Sequence, residues 1–177
     1  GGCESGPVRV RTPLGRLPAF VVIAANAAFW PAWTAAVGWA AQRTPDRRFS
    51  SDDAVTRERS FERGGRWYRE EWQIERWKGA LPEAGRAFGG FEKRSVAQGD
   101  VEVMEQFLIE TRRAEHAHWG MVAGVAVTLL WNPWWATPAN VAVAVGSNVP
   151  CIAVQRYNRA RLRRAIVAVR RRATSAR

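Results

Sequence analysis

HAHWGMVAGVAVTLLWNPWWATPANVAVAVGSNVPCIAVQ, residues 116–155, runs for 40 positions without an Asp, Glu, Lys or Arg. A bilayer core takes roughly 20 apolar residues per helical span. The run is long enough for two spans, with WNPWW at 131–135 as the natural turn between them. A second uncharged run, LPAFVVIAANAAFWPAWTAAVGWAAQ at 17–42, is bracketed by Arg16 and Arg43 and is long enough for one. Both runs carry tryptophans, the residues whose rings settle at headgroup level. The expected fold class is therefore an all-α integral membrane protein with about three transmembrane helices, near 17–41, 116–133 and 135–155. The mean hydropathy of −0.29 looks soluble only because it averages over this segregation.

Charge divides the rest of the chain. The net charge is +11 over 177 residues. Between 43 and 115, 15 basic residues meet 15 acidic ones, so that loop is neutral. The tail 156–177 holds nine Arg and no acid, whereas the N-terminal tail 1–16 offers three Arg against Glu4. Basic residues beside a span suit an anionic membrane surface. The arginines follow directly on a span, which speaks against nucleic acid as their partner. The arginine asymmetry also predicts that the loop and the C-terminal tail share the cytoplasmic side of a multi-pass protein. Residues 17–42 lack a small-residue cleavage pattern and read as an anchor rather than a removed signal. Pro31 either kinks that span or turns a re-entrant hairpin.

Within the loop, Trp67, Ile74, Trp77 and Leu81 recur at helical spacing, with Tyr68 and Trp72 beside them. That pattern predicts one amphipathic helix over 54–79, lying in the interface with Trp67, Trp72 and Trp77 dipping toward lipid. Packing of the same rings on a small soluble core is the plainer reading. LPEAGRAFGGFEKR, 81–94, reads as a loop with a tight turn. From Asp100 the apolar spacing becomes that of an amphipathic helix able to run on into the second span. The domain layout is thus a tail at 1–16, one membrane domain at 17–155 including the helical interfacial loop 43–115, and a basic tail at 156–177.

Chemistry is sought where charge meets the apolar runs. No G-x-S-x-G, P-loop or H-E-x-x-H occurs, and two cysteines give no metal spacing. IETRRAEHAHW, 109–119, and NVPCIAVQRYNRARL, 148–162, both lie at membrane boundaries. If 116–155 is a hairpin, they lie on one face of the bilayer and can meet. Glu115 and His118 are one helical turn apart, so the carboxylate can orient the imidazole as a general base. The plain alternative is a boundary histidine bonding headgroups. A single E-x-x-H falls short of a di-iron site, which needs two such motifs and two further Glu. Glu110 and Arg113 are spaced for a surface pair. Asn148 is costly in an apolar run unless paired. The arginines after 155 fit a positive-inside stop, which leaves Gln155, Tyr157 and Asn158 without a reason.

These stretches, together with RTPD at 43–46 and the aromatic-rich 65–78, resemble the glycosyl-4,4'-diaponeurosporenoate acyltransferases, small bacterial membrane proteins of carotenoid biosynthesis. The resemblance covers roughly 43–162. It implies transfer of a fatty acyl group onto a sugar hydroxyl of a very apolar glycolipid, with acyl-CoA or a similar donor as co-substrate and no bound cofactor. By position it carries over Glu110, Thr111, Arg113, Glu115, His118, Trp119, Asn148, Pro150, Gln155, Arg156, Tyr157, Asn158 and Arg159. It assigns nothing to His116 or Cys151. His118 and Glu115 are then the expected catalytic pair. Arg113, Arg156 and Arg159 are expected to hold donor phosphates or the oxyanion, and Glu110, Asn148, Gln155, Tyr157 and Asn158 to bind substrate. A non-catalytic membrane subunit or lipid-binding scaffold is the alternative from another class.

Overall fold

The computed structural model describes residues 7–81 and 100–175. Most of the turn-rich segment 81–94 and the whole approach to Asp100 lie outside them. The chain begins with a hairpin, β1 (Arg9–Thr12) and β2 (Gly15–Pro18), paired antiparallel with Thr12 opposite Gly15. The expected tail at 1–16 thus carries most of a hairpin that runs on to Pro18. Gly15, at φ 109°, supplies the turn conformation a side chain would resist, and the Thr12 hydroxyl donates to the Gly15 carbonyl at 3.0 Å.

Helix α1 (Ala19–Arg43) follows and runs unbroken through Pro31, so the re-entrant alternative is not what forms. Only Val22 on it is buried, while Phe20, Ile23 and Trp39 are exposed. A 25-residue apolar helix left this open needs lipid around it. Helix α4 (Val101–Thr128) begins at an Asp100 cap that accepts from the Val103 amide at 3.1 Å. It continues from the amphipathic stretch into the apolar one without a break. Helix α5 (Thr137–Ser175) returns antiparallel after the Asn132–Pro133 turn and a short 3-10 turn at Trp134–Ala136.

Helix lengths correct two expectations. The uncharged part of α4, residues 116–128, rises only about 20 Å at 1.5 Å per residue, short of a core about 30 Å thick. The chain turns at Asn132, whose amide and side chain both bond the Thr128 carbonyl, so the expected span 116–133 stops early. Among the described residues two helices, α1 and the stretch from Trp134 to Ser175, are long and apolar enough to cross a membrane. The basic tail is no separate element either. It is the continuation of α5, reaching Ser175.

The single interfacial helix expected over 54–79 is also corrected. A 3-10 turn at Ser60–Gly65 leads into α2 (Arg66–Glu70) and α3 (Ile74–Trp77), with a last 3-10 turn at Lys78–Ala80. Left-handed residues break the path: Arg63, Gly64 and Gly65 before α2, then Gln73 before α3. Gly65 is required where it is, because a Cβ there would meet the Ala160 Cβ at 3.0 Å. The segment folds over α5, burying Tyr68 and Ile74 against Ala153, Val154 and Tyr157. Trp67, Trp72 and Trp77 pack half-buried around that cluster.

Helices α4 and α5 share a seam spaced alternately four and three. On α4 it is Met104, Leu108, Thr111, Glu115 and His118; on α5 it is Asn148, Ile152, Gln155, Arg159, Leu162 and Ile166. This is the spacing of left-handed helix pairs. Its lower end is apolar, with Met104 against Leu162 and Ile166. Its middle is polar.

Helix α1 packs antiparallel on α4. Trp33 Nε1 donates to the Gly120 carbonyl at 3.0 Å, and a Cβ on Gly124 would stand 2.5 Å from the same nitrogen. Gly120 and Gly124 are the G-x-x-x-G spacing that lets membrane helices approach closely. At one end Asn26 and Asn132 exchange hydrogen bonds at 2.9 and 3.0 Å. At the other, Arg113 takes the Ala41 and Thr44 carbonyls. All three long helices therefore meet their first charges, Arg43, Glu115 and Arg156, at the same end.

Candidate active site

The two boundary stretches come together through Glu115. Its side chain is fully buried; one oxygen accepts from Arg156 Nε at 2.7 Å and the other from Arg159. Arg156 also donates to Glu62 and to the Val55 carbonyl. Tyr68 Oη donates to Glu62 at 2.7 Å, and Arg159 donates to the Thr56 carbonyl at 3.0 Å. Two carboxylates thus face two guanidiniums, and the network closes with no net charge. Burial, then the bond to Glu62, pushes the Tyr68 hydroxyl well above its usual pKa, so it remains a donor.

This arrangement redistributes the roles read from spacing. Glu115 does not orient His118, because both its oxygens are committed to arginines. His118 instead directs Nδ1 at Asn148 Oδ1, 2.9 Å away. The Asn148 amide nitrogen donates to the Ala144 carbonyl at 2.9 Å, which fixes Oδ1 as the acceptor facing the ring. Nδ1 must then carry the hydrogen, leaving the Nε2 lone pair available. Asn148 was singled out in the sequence as costly without a partner. Its partner is the histidine.

Arg113 is tied to the end of α1 and to Asp46, with Glu110 at 3.3 Å completing its shell. Tyr157 donates to Glu75. Gln155, Asn158 and Arg159 are almost fully buried, yet Gln155 Oε1, Asn158 Oδ1 and Arg159 Nη1 have no partner. His116, which spacing left without a role, sits between the Arg112 carbonyl at 3.0 Å and Asp53 at 2.8 Å. Asp53 also caps the following turn through the Val55 and Thr56 amides. Its burial works against ionisation, but the Thr56 and Val55 bonds and His116 outweigh it and hold the carboxyl far below the usual range. Asp52, partly buried, is likewise lowered by Arg112 and Arg163. Sequence spacing missed this anchor because its partners lie some 60 residues apart. Among the described residues no group of three His, Cys, Asp or Glu could hold a metal ion.

A groove of about 490 Å³ reaches the same stretch of α4 and α5 through Trp119 and Val149, and is lined among others by Val55, Glu62, Trp67, Tyr68, Trp72, Ile152 and Arg156; Asn148 itself lines a separate groove of about 440 Å³ with Trp30, Thr34, Met121 and Ala144. Another, apolar groove of about 510 Å³ lies at the far end between α1 and α5, with no ionisable residue in its lining. A helical membrane protein with a polar knot and a histidine at one boundary of its apolar segments is the class these features define.

The comparisons name the family. The sequence profile of the glycosyl-4,4'-diaponeurosporenoate acyltransferases matches residues 45–168, and the chain belongs to that family; it is an acyltransferase. The glycosyl-4,4'-diaponeurosporenoate acyltransferases of Staphylococcus aureus strains MRSA252 and USA300 are each 29% identical to it over 133 residues, 73% of this chain and 79% of theirs. That of strain Newman is 29% identical over 123 residues, 68% of this chain and 73% of its own. No solved structure matches.

Proposed function

We propose that the chain moves a fatty acyl group from a thioester donor such as acyl-CoA onto a sugar hydroxyl of an apolar glycolipid, a glycosyl carotenoid or a close chemical relative. The observation that carries this reading is the His118–Asn148 pair, with its tautomer fixed and its Nε2 lone pair unspent. His118 Nε2 takes the proton as the sugar oxygen bonds to the thioester carbon. The tetrahedral oxyanion then collapses, expelling the thiolate, which takes the proton back from the imidazolium. Of the three arginines expected to hold phosphates or the oxyanion, only Arg156 lines the groove, and stabilising the oxyanion falls to it. Its two carboxylate partners hold it in place.

The enzyme sits in the bacterial cell membrane, with the aromatic segment at the interface and the loop and the C-terminal part of α5 on the cytoplasmic side, where thioester donors are made. The arginine asymmetry and the common charged end of the three helices support this placement. Purified protein given acyl-CoA and glycolipid should yield the acylated glycolipid by mass spectrometry. Lipid extracts of cells with and without the gene should differ by the same species. Identical extracts and no transfer in vitro would leave a scaffold with well-locked helices.

A further inference from the structure

The groove of about 490 Å³ has walls of opposite character. Trp119, Val149, Ile152 and Ala153 come from the uncharged run, and Arg59, Glu62, Tyr68 and Arg156 from the charged side of the boundary. It therefore straddles the depth at which an amphiphile passes from tail to head. Trp67 and Trp72 also line it, their rings 5.5 Å apart, and Trp119 is 42% exposed. At the polar wall donors and acceptors alternate. Tyr68 gives its hydrogen to Glu62 and keeps oxygen lone pairs, and Arg156 has five N–H groups of which Glu115, Glu62 and Val55 take three. Because Arg156 lies between two carboxylates, the wall carries little net charge.

From this we infer that the groove is the seat of the acceptor's sugar, a neutral hexose ring lying on the Trp119 face with its hydroxyls against Glu62, Tyr68 and Arg156. The inference rests on the acyl-transfer reading above and adds which part of which substrate the groove takes. A sugar hydroxyl both donates and accepts, as this wall does. A phosphate only accepts, and Glu62 would repel it. The ring's apolar C–H face matches an exposed indole, and the lipid tail leaves along Val149 and Ile152 toward the bilayer. Trp119 and Val149 are the groove residues next in the chain to His118 and Asn148, so the seat adjoins the helix turn that carries the base.

Binding tests this without requiring turnover. The full chain in lipid nanodiscs is titrated with an alkyl β-glucoside bearing a brominated chain, and separately with a phosphocholine bearing the same chain. Quenching of tryptophan emission gives each half-saturation point. The glucoside should half-saturate at about tenfold lower concentration, a preference of roughly 1.4 kcal/mol. Trp119→Leu should erase that preference and leave the phosphocholine curve where it was. Tyr68→Phe, which keeps the ring and removes one hydroxyl, should shrink it. Equal half-saturation for the two probes in the unaltered protein, or a preference that survives both substitutions, overturns the assignment. A chain that prefers the glucoside but transfers no acyl group would instead sink the catalytic reading and leave the seat intact.

Discussion

Glu115 lies one turn from His118 in the sequence and bonds two arginines from another helix in the fold. The distinction separates stability from catalysis. Removing one partner of a buried ion pair costs roughly 3–5 kcal/mol, because the other charge stays behind unpaired. Glu115→Ala should therefore lower thermal stability and membrane accumulation steeply, while the surviving folded fraction, measured by active-site titration, should lose less rate than His118→Ala, because Glu62 still anchors Arg156. Asn148→Ala should behave in the opposite way. It releases the tautomer of His118, so kcat falls while melting changes little by comparison. Asp52 and Asp53 set the pH response. Both are depressed in the folded chain, so their contribution is present above the ordinary carboxylate range, about pH 4, and is lost as pH falls through their folded values. Unfolding followed against pH should show stability dropping below about pH 4, with a shallower drop in Asp53→Asn. An unchanged slope in that variant would mean the Asp53 cap adds nothing.

At the scale of elements, the helices were legible and their breaks were not. Absence of charge located α1 and the first half of α5, and the spacing after Asp100 located α4. The aromatic segment misled because Trp67, Ile74 and Trp77 keep helical spacing even though Gln73 turns the chain between them and Gly64–Gly65 turn it just before. The Gly-Gly pair was the available signal. Likewise Gly120 and Gly124 announce a close helix contact, yet nothing local says that Trp33 fills it. Gly124→Leu should force α1 away from α4, since even a Cβ there stands 2.5 Å from the Trp33 indole nitrogen. Loss of cross-linking between cysteines placed on α1 and α4 would report the separation, and adding Trp33→Ala should restore it. Cross-linking undiminished by Gly124→Leu alone would contradict the packing. In the site, residue types were legible and pairings were not. His118, Asn148, Glu115 and Arg156 all stood out, but which met which depended on the antiparallel register of α4 and α5.

At the scale of the molecule, three helices gather their charges at one end, and two of them are long and apolar enough to cross a membrane, which sets a histidine, an arginine and a groove where charge gives way to the apolar runs. The central claim is that His118 takes the proton from the sugar. Its most direct test is the single-turnover rate of acyl transfer by purified protein, with His118→Ala and His116→Ala beside the unaltered chain at matched membrane levels. His118→Ala should lose on the order of 10²–10⁴ in rate, the usual worth of a positioned general base. His116→Ala, which cuts an anchor to Asp53 on the opposite side of α4, should keep the single-turnover rate of its folded fraction. Transfer by His118→Ala at close to the unaltered rate would contradict the account.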